Sequence, residues 1–188
     1  MPDWLGPQRQ EAACDRILDA AADLFADSGV EAVGMNDIAK AAGCSRATLY
    51  RYYPSRDALH TAYVHRHART VNRQLADLVA PITDPHEKLL EALTHALRLV
   101  RENPALAAWF TRTPIGAQAA EESDVVQAMT AGFLLSVDPE DVATAQRNAR
   151  WLVRVLTSFL TVPGCDADEE RAMLAEFVVP RMWPTRKA

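Results

Sequence analysis

The chain has 188 residues, of which 49% are hydrophobic and 24% are charged, and its formal net charge is −5. This composition is ordinary for a globular protein that buries a sizeable core. No apolar run approaches the roughly 20 residues that cross a bilayer, which excludes a membrane-spanning protein. The N-terminus has no basic region followed by an apolar one, so we expect no signal peptide.

The three cysteines, Cys14, Cys44 and Cys165, are isolated and form no C-x-x-C pair. An odd number of scattered cysteines argues for a reducing compartment and against a disulfide framework or a zinc site. We therefore expect a cytoplasmic protein without a metal or another cofactor.

Charge is unevenly distributed along the chain. Seven basic residues and a single acid, Asp57, lie between Lys40 and Arg73, whereas six acids and no Lys or Arg lie between Ala117 and Gln146. A phosphate backbone responds to local charge, so the basic stretch is compatible with nucleic-acid binding. If charge were the only signal, a solvated helix face would be the better interpretation.

The first predicted helix ends at Ser28-Gly29, where glycine supplies the left-handed cap conformation. Its apolar face has the i, i+4, i+7 spacing of a helix and consists of Ile17, Leu18, Ala21, Leu24 and Phe25. A short second helix, with Met35, Ile38, Ala39 and Ala42 on its apolar face, stops at Gly43.

Two serines mark the next helix starts. Ser45 is a good N-cap for a third short helix that reaches about Tyr53. Ser55 caps a long fourth helix, over about residues 55–79, which ends before Pro81.

Asp or Asn followed by Pro recurs in the second half, at Asp84, Asn103 and Asp138. This pair predicts an N-cap followed by Pro at the first helical position. The predicted apolar faces are Leu89, Leu90, Leu93, Leu97 and Val100 in one helix, then Val142, Ala145, Ala149, Leu152, Leu156 and Phe159 in another. A last helix follows Pro163-Gly164, with Met173, Leu174, Phe177 and Val178, and ends near Pro180. No alternating run predicts a strand, so the fold class is all-α.

Two short helices joined by a glycine-containing turn form a helix-turn-helix, whose second helix enters the major groove of DNA. Leu49 and Tyr53 face inward, while Arg46 with Tyr50 and Ala47 with Arg51 form two rows on the outer face. Arg46 can contact a guanine edge. Hydroxyl and cationic side chains suit phosphate oxygens, and they are Thr48, Tyr50, Tyr52, Arg56 and Lys40.

The segment from Met35 to Leu59 resembles the signature of TetR/AcrR-type repressors. The matching positions are Ile38, Ala39, Ala42, Gly43, Ser45, Thr48, Leu49, Tyr50, Tyr52, Ser55 and Leu59. The resemblance implies a helix-turn-helix DNA-binding domain over residues 1–56 and a helical ligand-binding and dimerisation domain over residues 57–188. The predicted DNA-binding residues are Asn36, Lys40, Ser45, Arg46, Ala47, Thr48, Tyr50, Arg51, Tyr52 and Arg56.

Arg56 and Tyr53 stand where the family usually has Lys and Phe, and two further departures concern Gly34 and Cys44. Gly34 stands where the family often has a Thr or Ser that caps the second helix and contacts a phosphate, and Asn36 is a candidate to replace that contact. Cys44 stands where an apolar residue is usual. We expect it to fill the core, with a redox role as the less favoured alternative.

The family also implies a homodimer formed by the last two helices and a ligand cavity between the middle helices. The predicted pocket residues are His95, Trp109, Phe110, Met129, Phe133 and Trp151. Aromatic residues on amphipathic helices are more often core, and this alternative stays open. The predicted dimer residues are Trp151, Val155, Phe159, Leu174, Phe177 and Val178.

The functional hypothesis is a dimeric repressor that binds palindromic operator DNA and is released by a small-molecule effector, for which the aromatic composition suggests a hydrophobic compound. The alternatives are a DNA-binding regulator without an effector and a helical enzyme, for which no catalytic arrangement can be named. We interpret His60, His65 and His67 as solvated or phosphate-proximal rather than metal-binding.

Overall fold

The computed structural model describes residues 6–112, 115–139 and 141–182. Over these ranges the regular structure is helical and contains no strand, which confirms the predicted all-α class. The helices are α1 (Gly6–Ser28), α2 (Met35–Ala41), α3 (Arg46–Tyr52), α4 (Arg56–Val79), α5 (Pro85–Arg101), α6 (Pro104–Arg112), α7 (Ile115–Glu121), α8 (Asp124–Val137), α9 (Val142–Thr161), α10 (Ala167–Met173) and α11 (Val179–Met182), with a π-helical turn over Leu174–Val178.

The chain divides into two compact units, residues 1–64 and 65–188. The division falls within α4, whereas the predicted domain boundary was residue 56, at the start of that helix. None of the helices in the described ranges is both long and apolar enough to cross a membrane.

The smaller unit follows the predicted local signals closely. Gly29 and Gly43 adopt the left-handed conformation, with φ of 80° and 67°, and terminate α1 and α2 as predicted. Its core lies where the three predicted apolar faces meet, and the fully or nearly fully buried side chains are Ile17, Leu18, Phe25, Ile38, Leu49, Leu59 and Tyr63.

In the larger unit, the side chains of Asp84 and Asn103 accept the backbone N–H groups of Glu87 and Leu106, at 2.7 and 3.1 Å. These are the predicted N-caps of α5 and α6. The third predicted cap is wrong, because Asp138 follows the end of α8 and α9 is capped by Asp141 instead. Asp141 directly precedes Val142, the first residue of α9, and its carboxylate accepts the Thr144 N–H at 2.9 Å.

The core of the larger unit is built from residues of α5 to α9 and of the final helical segments. Val142, predicted to lie on the apolar face of α9, is 60% exposed because it is the first residue of the helix. Leu174 and Val178 are buried in this core, at opposite ends of the π-helical turn. Both pack within this chain's own core, and their predicted place in a dimer interface stays a prediction.

Candidate DNA-binding surface

The turn between α2 and α3 is fixed by backbone and hydroxyl hydrogen bonds. The Cys44 N–H donates to the Ala39 carbonyl at 2.9 Å, which closes the turn around Gly43. The Ser45 hydroxyl accepts the Thr48 N–H at 3.1 Å and lies 2.9 Å from the Thr48 hydroxyl. Ser45 is therefore the N-cap of α3, and the two hydroxyls form a polar group at the start of that helix.

The two faces of α3 differ as predicted. Leu49 is fully buried, and Tyr53, just beyond the last residue of the helix, is 7% exposed. Arg46, Ala47, Tyr50 and Arg51 are exposed on the outer face, while Thr48 and Tyr52 are half-buried. The guanidinium groups of Arg46 and Arg51 lie 5.7 and 5.2 Å from the ring centroids of Tyr50 and Tyr52. These cation–π contacts orient both arginines and do not neutralise their positive charge.

The N-terminus of α2 is capped without the side chain that the family often has. Gly34 has an extended conformation at the N-cap position, and its N–H donates to the Asp37 carboxylate at 3.0 Å. Asn36 and Lys40 lie exposed on this helix. The amide and the ammonium are therefore available for the phosphate contacts predicted for them.

Arg56 has a structural role that was not predicted from the sequence. Its guanidinium donates hydrogen bonds to the carbonyls of Val30 and Glu31, in the loop after α1. These carbonyls lie more than twenty residues away in sequence, so no local pattern could reveal the contact. The side chain is half-buried, and its predicted phosphate contact stays a prediction.

His60 is buried rather than solvated, which corrects the prediction for this residue. It is 4% exposed and packs edge-to-face against Phe25, with ring centroids 5.4 Å apart and an interplanar angle of 81°. Burial, followed by the nearby charge of Arg56, lowers the pKa of His60 to about 4. The side chain is therefore a neutral core residue at physiological pH.

His65 and His67 belong to the larger unit and contact other helices. His65 Nε2 lies 2.8 Å from the Ser123 hydroxyl, and His67 Nδ1 lies 3.3 Å from the Asn103 side-chain nitrogen. Burial and the neighbouring Arg69 lower the pKa of His65. No group of three or more His, Cys, Asp or Glu side chains is arranged for a metal ion in the part of the chain that the structure describes.

The predicted pocket residues do not share one environment. Trp109 and Phe110 are buried, at 1% and 6% exposure, and Phe110 belongs to the core cluster of the larger unit. Met129, Phe133 and His95 are half-buried, and the His95 ring lies 2.9 Å from the Glu91 carbonyl. Trp151 is 41% exposed. The packing of Phe110 agrees with the alternative that these aromatics form core.

A groove of about 350 Å³ lies elsewhere in the larger unit. It is lined by Thr94, Leu97, Arg98, Arg101, Glu102, Ala167, Glu170, Arg171 and Leu174, and it includes none of the six predicted pocket residues. Arg101 donates two hydrogen bonds to the Glu170 carboxylate, at 2.6 and 2.7 Å, and Arg171 pairs with Glu91 at 2.6 Å. Arg98 pairs with Glu102 at 3.4 Å, so all three guanidinium groups of the groove have carboxylate partners.

Two of the predicted dimer residues are available on the surface of the larger unit. Trp151 on α9 is 41% exposed, and Phe177 in the π-helical turn is 61% exposed. Val155 and Phe159 are partly buried against the core. Exposed aromatic side chains of this size are candidates for a protein contact, and the dimer stays a prediction.

Comparison with known proteins agrees with this arrangement. The family model "Bacterial regulatory proteins, tetR family" matches residues 17–63, which include α2 and α3. The HTH-type transcriptional regulator Rv1255c of Mycobacterium tuberculosis is 55% identical over 99% of this chain and 93% of its own length.

Solved structures show the same fold. The repressor AlkX from a Dietzia strain, implicated in n-alkane biodegradation, aligns with a TM-score of 0.66 and 24% identity over 89% of this chain and 93% of its own. The repressor FadR of Thermus thermophilus, in complex with lauroyl-CoA, aligns with a TM-score of 0.65 and 22% identity over 93% and 97%. The chain therefore belongs to the TetR family of helix-turn-helix transcriptional regulators.

Proposed function

We propose that this regulator is a repressor that binds an inverted-repeat operator as a homodimer and is released by a small-molecule effector. The observation that carries the DNA-binding part is the exposed outer face of α3. Arg46, Ala47, Tyr50 and Arg51 lie on it, on a short helix held to the core by Leu49 and Tyr53. In a helix-turn-helix this face meets base edges.

Within that surface, Arg46 is the candidate for sequence recognition, because a guanidinium can bind O6 and N7 of guanine together. Asn36, Lys40, Thr48, Tyr50, Tyr52 and Arg56 are the candidates for phosphate contacts. Ser45, Ala47 and Arg51 complete the proposed contact set. Phosphate contacts fix the register of a protein on the duplex without selecting a sequence.

The homodimer is supported by the exposure of Trp151 and Phe177 on the last long helical segments. A two-fold dimer presents two copies of α3, so the operator should be an inverted repeat with half-sites about one helical turn apart. Sedimentation of the protein at micromolar concentration, together with the symmetry of the selected DNA site, tests this part.

Release by an effector is supported by the repressor FadR, which binds lauroyl-CoA. An effector acts only through a difference in affinity between the DNA-competent and DNA-incompetent arrangements. A tenfold loss of operator affinity requires about 1.4 kcal/mol of coupling, and operator DNA must weaken effector binding by the same factor. We place the pocket near Trp109, Phe110 and Phe133, between the middle helices.

One observation favours a second candidate function, a DNA-binding regulator without an effector. Trp109 and Phe110 are buried at 1% and 6% exposure, as in a closely packed core. The two candidates differ in a release screen, because only the first predicts a compound that dissociates the protein from its operator.

The experiment is selection of operator DNA from random sequences, followed by binding isotherms at several salt concentrations. Arg46→Ala should relax base preference at one position, at a cost of about 1–3 kcal/mol. Lys40→Ala, the matched variant on α2, should weaken binding to all sequences and reduce the salt slope by about one. Unchanged binding by both variants would reject α3 and α2 as the DNA-binding surface.

A further inference from the structure

Arg46 and Tyr50 form a pair on the outer face of α3. They stand four residues apart, a spacing at which the side chains of a helix are neighbours. The central carbon of the Arg46 guanidinium lies over the Tyr50 ring, 5.7 Å from its centroid. Among the described residues, this ring is the contact that the structure shows for the guanidinium. The direction of the proposed base-reading side chain therefore depends on an aromatic neighbour.

The form of this contact suits a side chain that must also read a base. An aromatic ring attracts a cation through its face, and this attraction uses none of the N–H groups of the guanidinium. Those donors stay available for O6 and N7 of a guanine. A carboxylate partner occupies them instead, as Glu170 does with two hydrogen bonds from Arg101, at 2.6 and 2.7 Å.

The ring also restrains Arg46 before DNA is bound. Arg46 is exposed and is the first residue of α3, and an arginine that is free to move loses rotamer freedom when it contacts a base. This loss weakens binding, and it is smaller when the side chain already has its bound direction. Tyr50 is 39% exposed and has fewer side-chain torsions than arginine, so its own restraint is less costly.

We propose that Tyr50 is a positioning residue for sequence recognition, because its ring holds the Arg46 guanidinium ready to bind a guanine. This inference rests on the proposed operator binding and gives Tyr50 a role distinct from its predicted phosphate contact. The ring acts through Arg46 and only where the guanine is present. A hydroxyl on a phosphate strengthens binding to every sequence, so the two roles can be separated.

The measurement is the Kd of the full-length protein for two fluorescent duplexes. One carries the selected operator, and in the other the G·C pair at which Arg46→Ala relaxes base preference is replaced by A·T. Adenine keeps N7 but presents an amino group where guanine has O6, so the paired contact with arginine cannot form. The ratio of the two Kd values is the discrimination, which we expect to be at least about fivefold for the wild-type protein.

Two substitutions of Tyr50 separate the ring from the hydroxyl. Tyr50→Leu, which removes the ring, should lower the discrimination by about two- to fivefold, the range that an exposed cation–π contact supplies. Tyr50→Phe should keep the wild-type discrimination, although losing a phosphate contact weakens its binding to both duplexes. In an Arg46→Ala background, Tyr50→Leu should not change the discrimination further, because the ring acts only through Arg46.

Tyr52→Leu is the matched control on the same helix. The Tyr52 ring lies 5.2 Å from the guanidinium of Arg51, which stands in the last turn of α3. Removing that ring should leave the discrimination at the Arg46 guanine unchanged, even where the overall affinity falls. Partial unfolding of a variant weakens binding to both duplexes equally, so the ratio measures positioning and not stability.

Three results would each overturn the proposal: a wild-type discrimination in Tyr50→Leu, an equally low one in Tyr50→Phe, or the same fall in Tyr52→Leu. If Arg46→Ala relaxes base preference at no position, the recognition role of Arg46 in the proposed function is rejected, and the proposal with it. If Arg46→Ala relaxes one position and Tyr50→Leu discriminates there like wild type, only the positioning role of Tyr50 fails.

Discussion

The arginines of α3 in the smaller unit and those that join α5 to α10 in the larger unit have opposite environments. On α3 of the smaller unit, Arg46 and Arg51 are exposed and contact only tyrosine rings among the interactions of the described residues. In the larger unit, Arg101 and Arg171 reach carboxylates on other helices at 2.6 Å. The positive charge of the guanidinium group thus has no carboxylate partner on α3, where DNA binding is expected. Between α5 and α10 the same charge is paired with a carboxylate and joins the two helices. Net charge alone, at −5, would hide this difference.

The largest effect is expected from Arg101→Ala. Glu170 is 4% exposed, and its carboxylate also accepts the Gly164 N–H at 2.8 Å. Removing the guanidinium leaves a buried charge without its main partner, which costs about 3–5 kcal/mol in the free energy of unfolding. Urea unfolding of the full chain measures this loss.

Arg98→Ala is the matched control for that prediction. Arg98 lies one turn earlier on α5, and its pair with Glu102 is 3.4 Å long with both side chains more than half exposed. Exposed pairs contribute about 0–1 kcal/mol. Equal losses from the two variants would show that the buried pair is not an important cross-link.

A second prediction concerns pH and the buried His60. Its pKa of about 4 lies below the ordinary 6.5, so the unfolded chain binds the proton more readily than the folded one. The contribution to stability is complete above about pH 6.5 and is lost as the pH falls toward 4. The full loss is about 3 kcal/mol.

His60→Phe retains an aromatic ring beside Phe25 and removes the titration. The difference in unfolding free energy between the variant and wild type should therefore change between pH 7 and pH 4.5, in favour of the variant at the lower pH. Parallel pH profiles for the two proteins would mean that His60 is not the titrating group.

The third prediction separates Arg56 from the arginines of α3. Because Arg56 bonds the carbonyls of Val30 and Glu31, Arg56→Ala should lower the free energy of unfolding by about 2 kcal/mol without DNA present. Arg51→Ala, with an exposed side chain, should change it by less than about 0.5 kcal/mol. Thermal unfolding of both variants measures this difference. If Arg56→Ala is as stable as wild type, the hydrogen bonds of Arg56 do not stabilise the fold, and only its predicted phosphate contact is left.

The smallest effect is expected at Gly34. A Cβ at this position would lie 3.2 Å from the Asp37 carboxylate oxygen, so that side chain must shift by a few tenths of an ångström. Gly34→Ser should change stability by only a few tenths of a kcal/mol while adding a hydroxyl near a predicted phosphate. Binding isotherms should show a modest gain in operator affinity, and a loss of affinity would indicate that Asp37 cannot move.

The features that could be predicted from the sequence are those that depend on residues close together in the chain. Ser45, Ser55 and Gly43 act on neighbouring backbone groups, so the helices they delimit lie where expected. The outer face of α3 follows from a spacing of four residues, which needs no knowledge of the rest of the chain.

Contacts distant in sequence were not predictable in the same way. An apolar spacing shows which face of a helix is covered, but not whether the same chain or a second one covers it. Leu174 and Val178 were assigned to a dimer for this reason and are buried in their own core. His60 and Arg56 have polar side chains, so a hydrophobic pattern does not place them in the core. Their partners Phe25, Val30 and Glu31 lie in or just after α1, too distant in sequence for a local pattern to show the contact.

The π-helical turn explains a pattern in the final helical segments that a regular helix could not hold. Glu170, Leu174, Val178 and Met182 are all buried, at intervals of four residues. In an α-helix of 3.6 residues per turn, the twelve steps from Glu170 to Met182 would leave the Met182 side chain pointing about 120° away from the direction of Glu170. The wide turn absorbs one extra residue and restores the phase. The segment is therefore one residue longer than its buried face requires, and we expect a chain lacking Glu176 to keep the same four positions buried with an unbroken α-helix.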